Sequence, residues 1–304
     1  SAPIDTRTTD RNSMSIVLTG VAGMLFAVNA TSTRLVLDRT GIRTDVAAVA
    51  TIMTATAVAS VIAIIGGVRP GDLSWADSQG FLVIGAIVPG VAQLTFYAAI
   101  SMAGPSRSAI MLGTVPMWSV VLATIFLDEH WSTSVVVGTI LAVIGSVLLA
   151  TERATKATVS RLGLAFAALT ALQFAIRDVL ARSVTQESSL DSSAAAAVTL
   201  GVGAVVLIGV AVGTAGPRKF SKNLRRSMPA MLVPGVAVGL AMPALLAAFE
   251  RSRVGIVSPL LGATQTVGAV LLSGALIGGS EIDKRVVLAV VVTLAGGTLI
   301  GVTR

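Results

Sequence analysis

LGLAFAALTALQFAIRDVLA, residues 162–181, holds two ionised side chains, Arg177 and Asp178, inside an otherwise uncharged run. A charge near the centre of a bilayer costs roughly 2.5–3.5 kcal/mol on insertion scales, so it faces a partner or a wet cavity. Elsewhere in the chain the charges fall between long uncharged segments. The pair therefore predicts a membrane-embedded protein with a polar path through it.

Composition agrees. Of 304 residues 54% are hydrophobic and only 12% charged, with a mean hydropathy of +0.88; a soluble domain carries about 25% charged residues. The net charge of +7 does not point to nucleic acid. Aromatic residues make up 4%, and the Lys and Arg are spread over short loops with no stacking platform. The chain contains no cysteine and one histidine, His130. Disulfides, thiolate metal sites and a serine–histidine pair thus have little or nothing to be built from. Arg7 and Arg11 before an apolar run, with Ala27-Val28-Asn29-Ala30 beyond, loosely resemble a cleaved leader. The recurrence of the same segment later in the chain favours an internal element instead.

Uncharged stretches near 20 residues match a ~30 Å hydrocarbon layer at 1.5 Å rise per helical residue. Ten are expected, over 15–33, 46–66, 81–102, 108–127, 134–150, 162–181, 194–213, 228–249, 254–278 and 286–303. They lack the alternation of a membrane β-barrel. The two halves resemble each other. Phe26-Ala27-Val28 and Arg34 recur as Phe174-Ala175-Ile176 and Arg182, 148 residues on. Ala98-Ala99 and Leu112-Gly113 recur as Ala247-Ala248 and Leu261-Gly262, and Glu129 with Gly145 recurs as Glu281 with Gly297. Five helices per half is an odd number, so the second copy enters from the opposite side. Inverted repeats of this kind place a substrate site near the membrane midplane. The fold class expected is therefore an all-α polytopic membrane protein, ten transmembrane helices as two inverted five-helix repeats, residues 1–151 and 152–304.

The stretch Tyr97 to Ile110 through Pro116, then Leu127-Asp128-Glu129 and Gly138 to Ala150, resembles the EamA-like domain of the drug/metabolite transporter superfamily. The second half repeats the pattern from Ala247 through Glu281 to Gly301, with Gln265 where the first copy has Pro116. The resemblance implies a secondary transporter of the cell (cytoplasmic) membrane whose helices 1, 3, 4, 6, 8 and 9 line a central cavity. It also implies both termini in the cytoplasm. Loop charges argue the reverse: odd-numbered connections carry 14 of the 22 Lys and Arg, against seven in the termini and even-numbered connections, which favours termini outside. An even helix count keeps both termini on one side in either case.

Candidate substrate-binding residues are the polar groups inside the spans: Asn29, Gln93, Tyr97, Trp118, Gln173, Arg177, Asp178 and Gln265. Gln93 with Tyr97, and Gln173 with Arg177, share a helix face by their i, i+4 spacing, with Asp178 about 100° around from Arg177. Arg177 is the candidate partner of an anionic substrate group and Asp178 the candidate carrier of a coupling proton. Each has a plainer reading: Arg177 snorkelling along its stem, Asp178 as its ion-pair partner, the amides as interhelical bonds. Pro116, Pro234, Pro243 and Pro259 are expected to interrupt helical ladders. Glu129 and Glu281 read as capping or interfacial charges. Gly138, Gly145, Gly297 and Gly301 make helices 5 and 10 the expected packing scaffold or dimer contact. Enzyme motifs are missing, so neither an enzyme nor a cofactor is expected. The reading is a secondary transporter, an exporter of small polar or amphipathic metabolites such as amino acids, acting as monomer or homodimer in the lipid bilayer. Its rivals are a facilitative channel and a non-transporting scaffold or receptor.

Overall fold

The computed structural model describes residues 6–103, 105–130, 132–151, 160–277 and 284–302, and all regular structure among them is helical. We number the helices α1 (Thr6–Thr40), α2 (Thr44–Ile65), α3 (Trp75–Ala103), α4 (Arg107–Leu127), α5 (Thr133–Thr151), α6 (Arg161–Glu187), α7 (Ser192–Ala215), α8 (Pro217–Ser227), α9 (Leu232–Arg251), α10 (Val254–Ile277) and α11 (Lys284–Val302). Eight of these (α1–α4, α6, α7, α9 and α10) are long and apolar enough to cross a membrane. The apolar helices α5 and α11 close the first and second halves. Glu281 lies outside the described residues.

The starts are set locally. Ser74 accepts from the Asp77 N–H at 3.0 Å, Ser160 from Gly163 at 3.2 Å and Asp191 from Ser193 at 2.8 Å, each satisfying a donor the first turn leaves free. Ends are less regular. The α1 helix runs on to Thr40 rather than stopping at 33, and its 35 residues reach roughly 50 Å, beyond any hydrocarbon core.

Two spans are broken. In α3 the ladder widens to a π turn at Ala86–Val91, with Val88 non-helical and Pro89 inside. This break presses on α7: a Cβ on Gly85 would collide with the Thr199 carbonyl, and one on Gly203 with the Pro89 ring. The α4 ladder breaks at Gly113-Thr114, so Pro116 begins a new helical segment instead of kinking one. Pro234 also falls in a first turn, where its missing N–H costs nothing. The ladder interruption expected at Pro234 is therefore absent, and the one expected at Pro116 is the break that precedes it. Pro243 and Pro259 do sit inside their helices.

The principal contacts between spans join a helix before Thr151 to one after Arg161. They pair α1 with α9 and α10, α2 with α7 and α9, α3 with α6 and α7, α4 with α6 and α10, and α5 with α11. Small residues permit the close approach. A Cβ on Gly23 would collide with Thr264, one on Gly145 with Thr293, and one on Gly296 with the Gly138 carbonyl. The interior is correspondingly rich in alanine, while Ile65, Phe126 and Val205 are exposed on the outer faces. That distribution fits helices held together by packing in lipid, where large apolar groups gain nothing by turning inward.

Candidate functional site

The long helix α6 sits between α3 and α4, and its polar residues bind both. Toward α4, Arg177 donates from Nε and Nη2 to Asp178 Oδ1 at 3.0 and 2.6 Å. The second carboxylate oxygen accepts from Ser119 Oγ of α4 at 2.9 Å. Both side chains are buried, at 7% and 1% exposed. The guanidinium also stacks over the Phe174 ring, 4.9 Å from its centroid, a favourable cation–π arrangement. Adjacent residues on a helix point about 100° apart, yet this pair closes because the long arginine stem folds back. Arg177 therefore pairs inside the protein and does not snorkel. A buried pair of this kind gains little net stability but costs about 3–5 kcal/mol to break from one side.

Toward α3, Gln173 Oε1 accepts from Thr95 Oγ1 at 2.7 Å, and Thr170 Oγ1 donates to Thr95 Oγ1 at 2.9 Å. The Phe166 carbonyl of its own helix, 2.8 Å away, is an alternative acceptor for the single Thr170 hydroxyl proton. On the other face of α3, Gln93 Nε2 donates to Tyr97 Oη at 3.0 Å. The structure thus brings together Arg177 with Asp178, and Gln93 with Tyr97, and links Gln173 to α3. It does not bond Asn29 to Arg177; Asn29 Oδ1 accepts from Thr33 on its own helix at 3.3 Å. Gln265 is half-buried on α10, its backbone nitrogen against the Gly23 position of α1. Trp118 is 40% exposed beside Met117.

Sequence reasoning missed Ser119, Thr95 and Thr170. Isolated hydroxyls in apolar helices ordinarily bond back to their own carbonyls, so each carried little signal. Thr95 lies two residues from both Gln93 and Tyr97, on the opposite face of α3, and only the rotation of α3 against α6 gives it partners.

A second polar cluster closes one end of the bundle. There the end of α4, the end of α6 and the turn from α9 to α10 meet. Glu129 accepts from the Val254 and Gly255 N–H groups at 3.1 and 3.3 Å. Its negative charge caps the first turn of α10, where the helix dipole favours an anion. Arg182 Nη1 donates to the carbonyls of Phe249 and Glu250 at 2.6 and 3.0 Å, capping the end of α9, and its Nε lies 3.9 Å from Glu129. Gln186 donates to the Glu250 carbonyl at 2.9 Å. A cavity of about 330 Å³ opens beside this cluster, lined by Asp128, Glu129, Arg182, Gln186 and Arg253 among others. Among the described residues no group of three or more His, Asp or Glu side chains could hold a metal ion.

The fold and this buried seam define a polytopic, all-helical membrane protein. Residues 13–151 match the model of the EamA-like transporter family, which belongs to the drug/metabolite transporter superfamily. The match suggests a transporter of that type and is consistent with a protein that is not an enzyme. No curated protein matches the sequence. A solved structure described only as the crystal structure of a protein superposes with a TM-score of 0.76, covering 95% of this chain and 99% of its own. At 15% identity that likeness concerns the fold alone.

Proposed function

We propose that the protein is a secondary transporter working by alternating access. Ten helices form two inverted repeats, residues 1–151 and 152–304, in the cytoplasmic membrane, with both termini on one side. The packing supports this arrangement. Exchanging α1–α5 with α6, α7, α9, α10 and α11 in order turns the α1·α9 contact into α6·α3, and α1·α10 into α6·α4. The α2·α9 contact likewise becomes α7·α3, and α5·α11 maps onto itself.

The substrate class follows from the observation that carries the reading: a buried polar seam joins α6 to α3 and α4, and its one ion pair is internally neutralised. Desolvating a net charge there would be costly. Hydroxyl and amide groups, by contrast, can exchange bonds with Thr95, Thr170 and Gln173 of the seam. Small uncharged or zwitterionic metabolites such as amino acids suit this lining, and export is the direction taken from the family. A substrate carboxylate that displaces Asp178 from Arg177 would free Asp178 for a coupling proton.

Counterflow in liposomes against amino acids, sugars, nucleobases and cationic drugs tests the reading. Saturable counterflow of a zwitterion is the expected result. Ion currents far above carrier rates would instead mean a channel, and neither currents nor counterflow a scaffold. Asp178→Asn leaves Arg177 buried without its counter-ion and should abolish counterflow while lowering stability by about 3–5 kcal/mol. The double variant Arg177→Gln with Asp178→Asn should recover stability without recovering transport. Full transport by either variant would remove the pair from the mechanism.

A further inference from the structure

The connection from α7 to α9, PRKFSKNLRRS at Pro217–Ser227, is the helix α8. It has two faces. Phe220 is 6% exposed and joins the main core, Leu224 packs against both that core and the smaller cluster around Ala47, Ala50 and Met231, and Ser227 is buried. Spaced i, i+4, i+7, these residues fix one side of α8 against α2 and α7. The remaining surface presents Arg218, Lys219, Lys222, Arg225 and Arg226, all exposed. The segment has no carboxylate, and none of the five enters an ion pair among the described residues. Asp45, at the start of the neighbouring α2, is already held by Arg43 through bonds of 3.1 and 2.8 Å.

From Arg218 to Arg226 the cations span roughly 12 Å at 1.5 Å per residue. They lie where α7 has just left the apolar layer and α9 is about to enter it. A helix with a buried apolar stripe, a basic face and this position can rest in the headgroup region. Nucleic acid is disfavoured because the one aromatic residue, Phe220, is turned into the core and offers no base a stacking surface. The polar seam lies elsewhere, on α3, α4 and α6, so these cations are not its lining.

We infer that α8 is a docking helix for anionic phospholipid, its guanidinium and ammonium groups binding headgroup phosphates of the adjoining leaflet. Clusters of four to eight basic residues on an amphipathic helix have the charge for this. Electroneutral headgroups offer the same phosphate without the net attraction, so selectivity is the signature. The inference does not depend on what the protein transports.

The test uses the full chain, purified and equilibrated in mixed detergent micelles with equimolar phosphatidylglycerol and phosphatidylcholine. Lipid that stays bound through gel filtration is counted by mass spectrometry. Wild type should retain phosphatidylglycerol over phosphatidylcholine by roughly ten-fold, the scale expected when several cations act together. Replacing Arg218, Lys219, Lys222, Arg225 and Arg226 by Gln should bring the ratio close to one, while Arg39→Gln with Arg43→Gln should leave it unchanged. A wild-type ratio of one overturns the proposal without recourse to any variant. So does undiminished selectivity in the five-glutamine chain, or its loss in the Arg39/Arg43 control. Displacement of the lipid by inorganic phosphate, but not by sodium chloride of equal ionic strength, would mark a free-phosphate site and overturn the lipid assignment.

Discussion

Arg182 and Arg34 occupy equivalent places in the two halves of the sequence, eight residues beyond Phe174 and Phe26, yet their surroundings differ. Arg182 is 19% exposed and joins α6 to the ends of α4 and α9, bonding two carbonyls and approaching Glu129. Arg34 is 51% exposed and pairs with Asp38, one turn along its own helix, at 3.7 Å. The same residue type at matching positions is structural cement at one end and a solvated charge at the other. Local sequence chose the side chain, but partners far along the chain decide what it does. If the protein works by alternating access, as proposed above, the Arg182 end is the latched one and the Arg34 end the released one.

The largest break in this comparison should come from Arg182→Gln. It removes bonds from a charged donor to two carbonyls, of which the Glu250 carbonyl keeps the Gln186 amide as a donor, an effect of about 1.5–3 kcal/mol. The closed-to-open ratio at that end should fall roughly 10- to 100-fold, since 1.4 kcal/mol is a factor of ten. The chain has no cysteine, so a single Ser183→Cys reporter can be read against a clean background. Its labelling by a water-soluble maleimide should accelerate strongly in the Arg182→Gln background. Unchanged labelling would mean the cluster does not hold the end shut.

Much of this architecture was legible in the sequence, because an uncharged run of about 20 residues has few other destinies. The limits are equally physical. The α1 helix continues through Ser32 to Thr40 because nothing in that polar stretch breaks a helix, and hydropathy registers lipid, not helicity. Helix α8 is masked by its charge: five cations hide the Phe220 and Leu224 stripe that packs it. Pro89 was overlooked, although it sits in the broken turn of α3 while Pro116 and Pro234 begin helical segments. In the site, Arg177 and Asp178 announced themselves by cost. Thr95 and Ser119 could not, because a hydroxyl is cheap to bury against its own carbonyl and becomes informative only when a neighbouring helix faces it. Glu129 was recognisable as a cap, but the helix it caps lies 125 residues downstream, a distance no local pattern encodes.

Glu129→Gln should have an intermediate effect and sharpens the comparison by separating charge from shape. The amide can still accept from one N–H of Val254 or Gly255, but the favourable charge at the start of α10 and the attraction to Arg182 are gone. A loss of about 0.5–2 kcal/mol is expected, the range for a helix cap. Thermal unfolding in detergent should show it as a lowered midpoint, with Ser183→Cys labelling rising less than for Arg182→Gln. Equal effects of the two variants would mean that the arginine acts only through the carboxylate and that its carbonyl bonds are incidental.

Arg34→Gln should do least. An exposed i, i+4 pair is worth about 0.3–0.5 kcal/mol, and Arg34 with Asp38 is already solvated. In the latched state, then, neither stability nor Ser183→Cys labelling should change measurably. Transport is the discriminating readout. If Arg34 stays a solvated charge throughout the cycle, counterflow by Arg34→Gln should stay within roughly two-fold of wild type, as a few tenths of a kcal/mol allow. If the two ends exchange roles, Arg34 takes up buried partners when its end closes, and the variant slows counterflow about as much as Arg182→Gln does while leaving the resting protein untouched. A kinetic defect without a stability defect is what a symmetric mechanism requires of the exposed member of the pair, and a purely one-sided latch would not produce it.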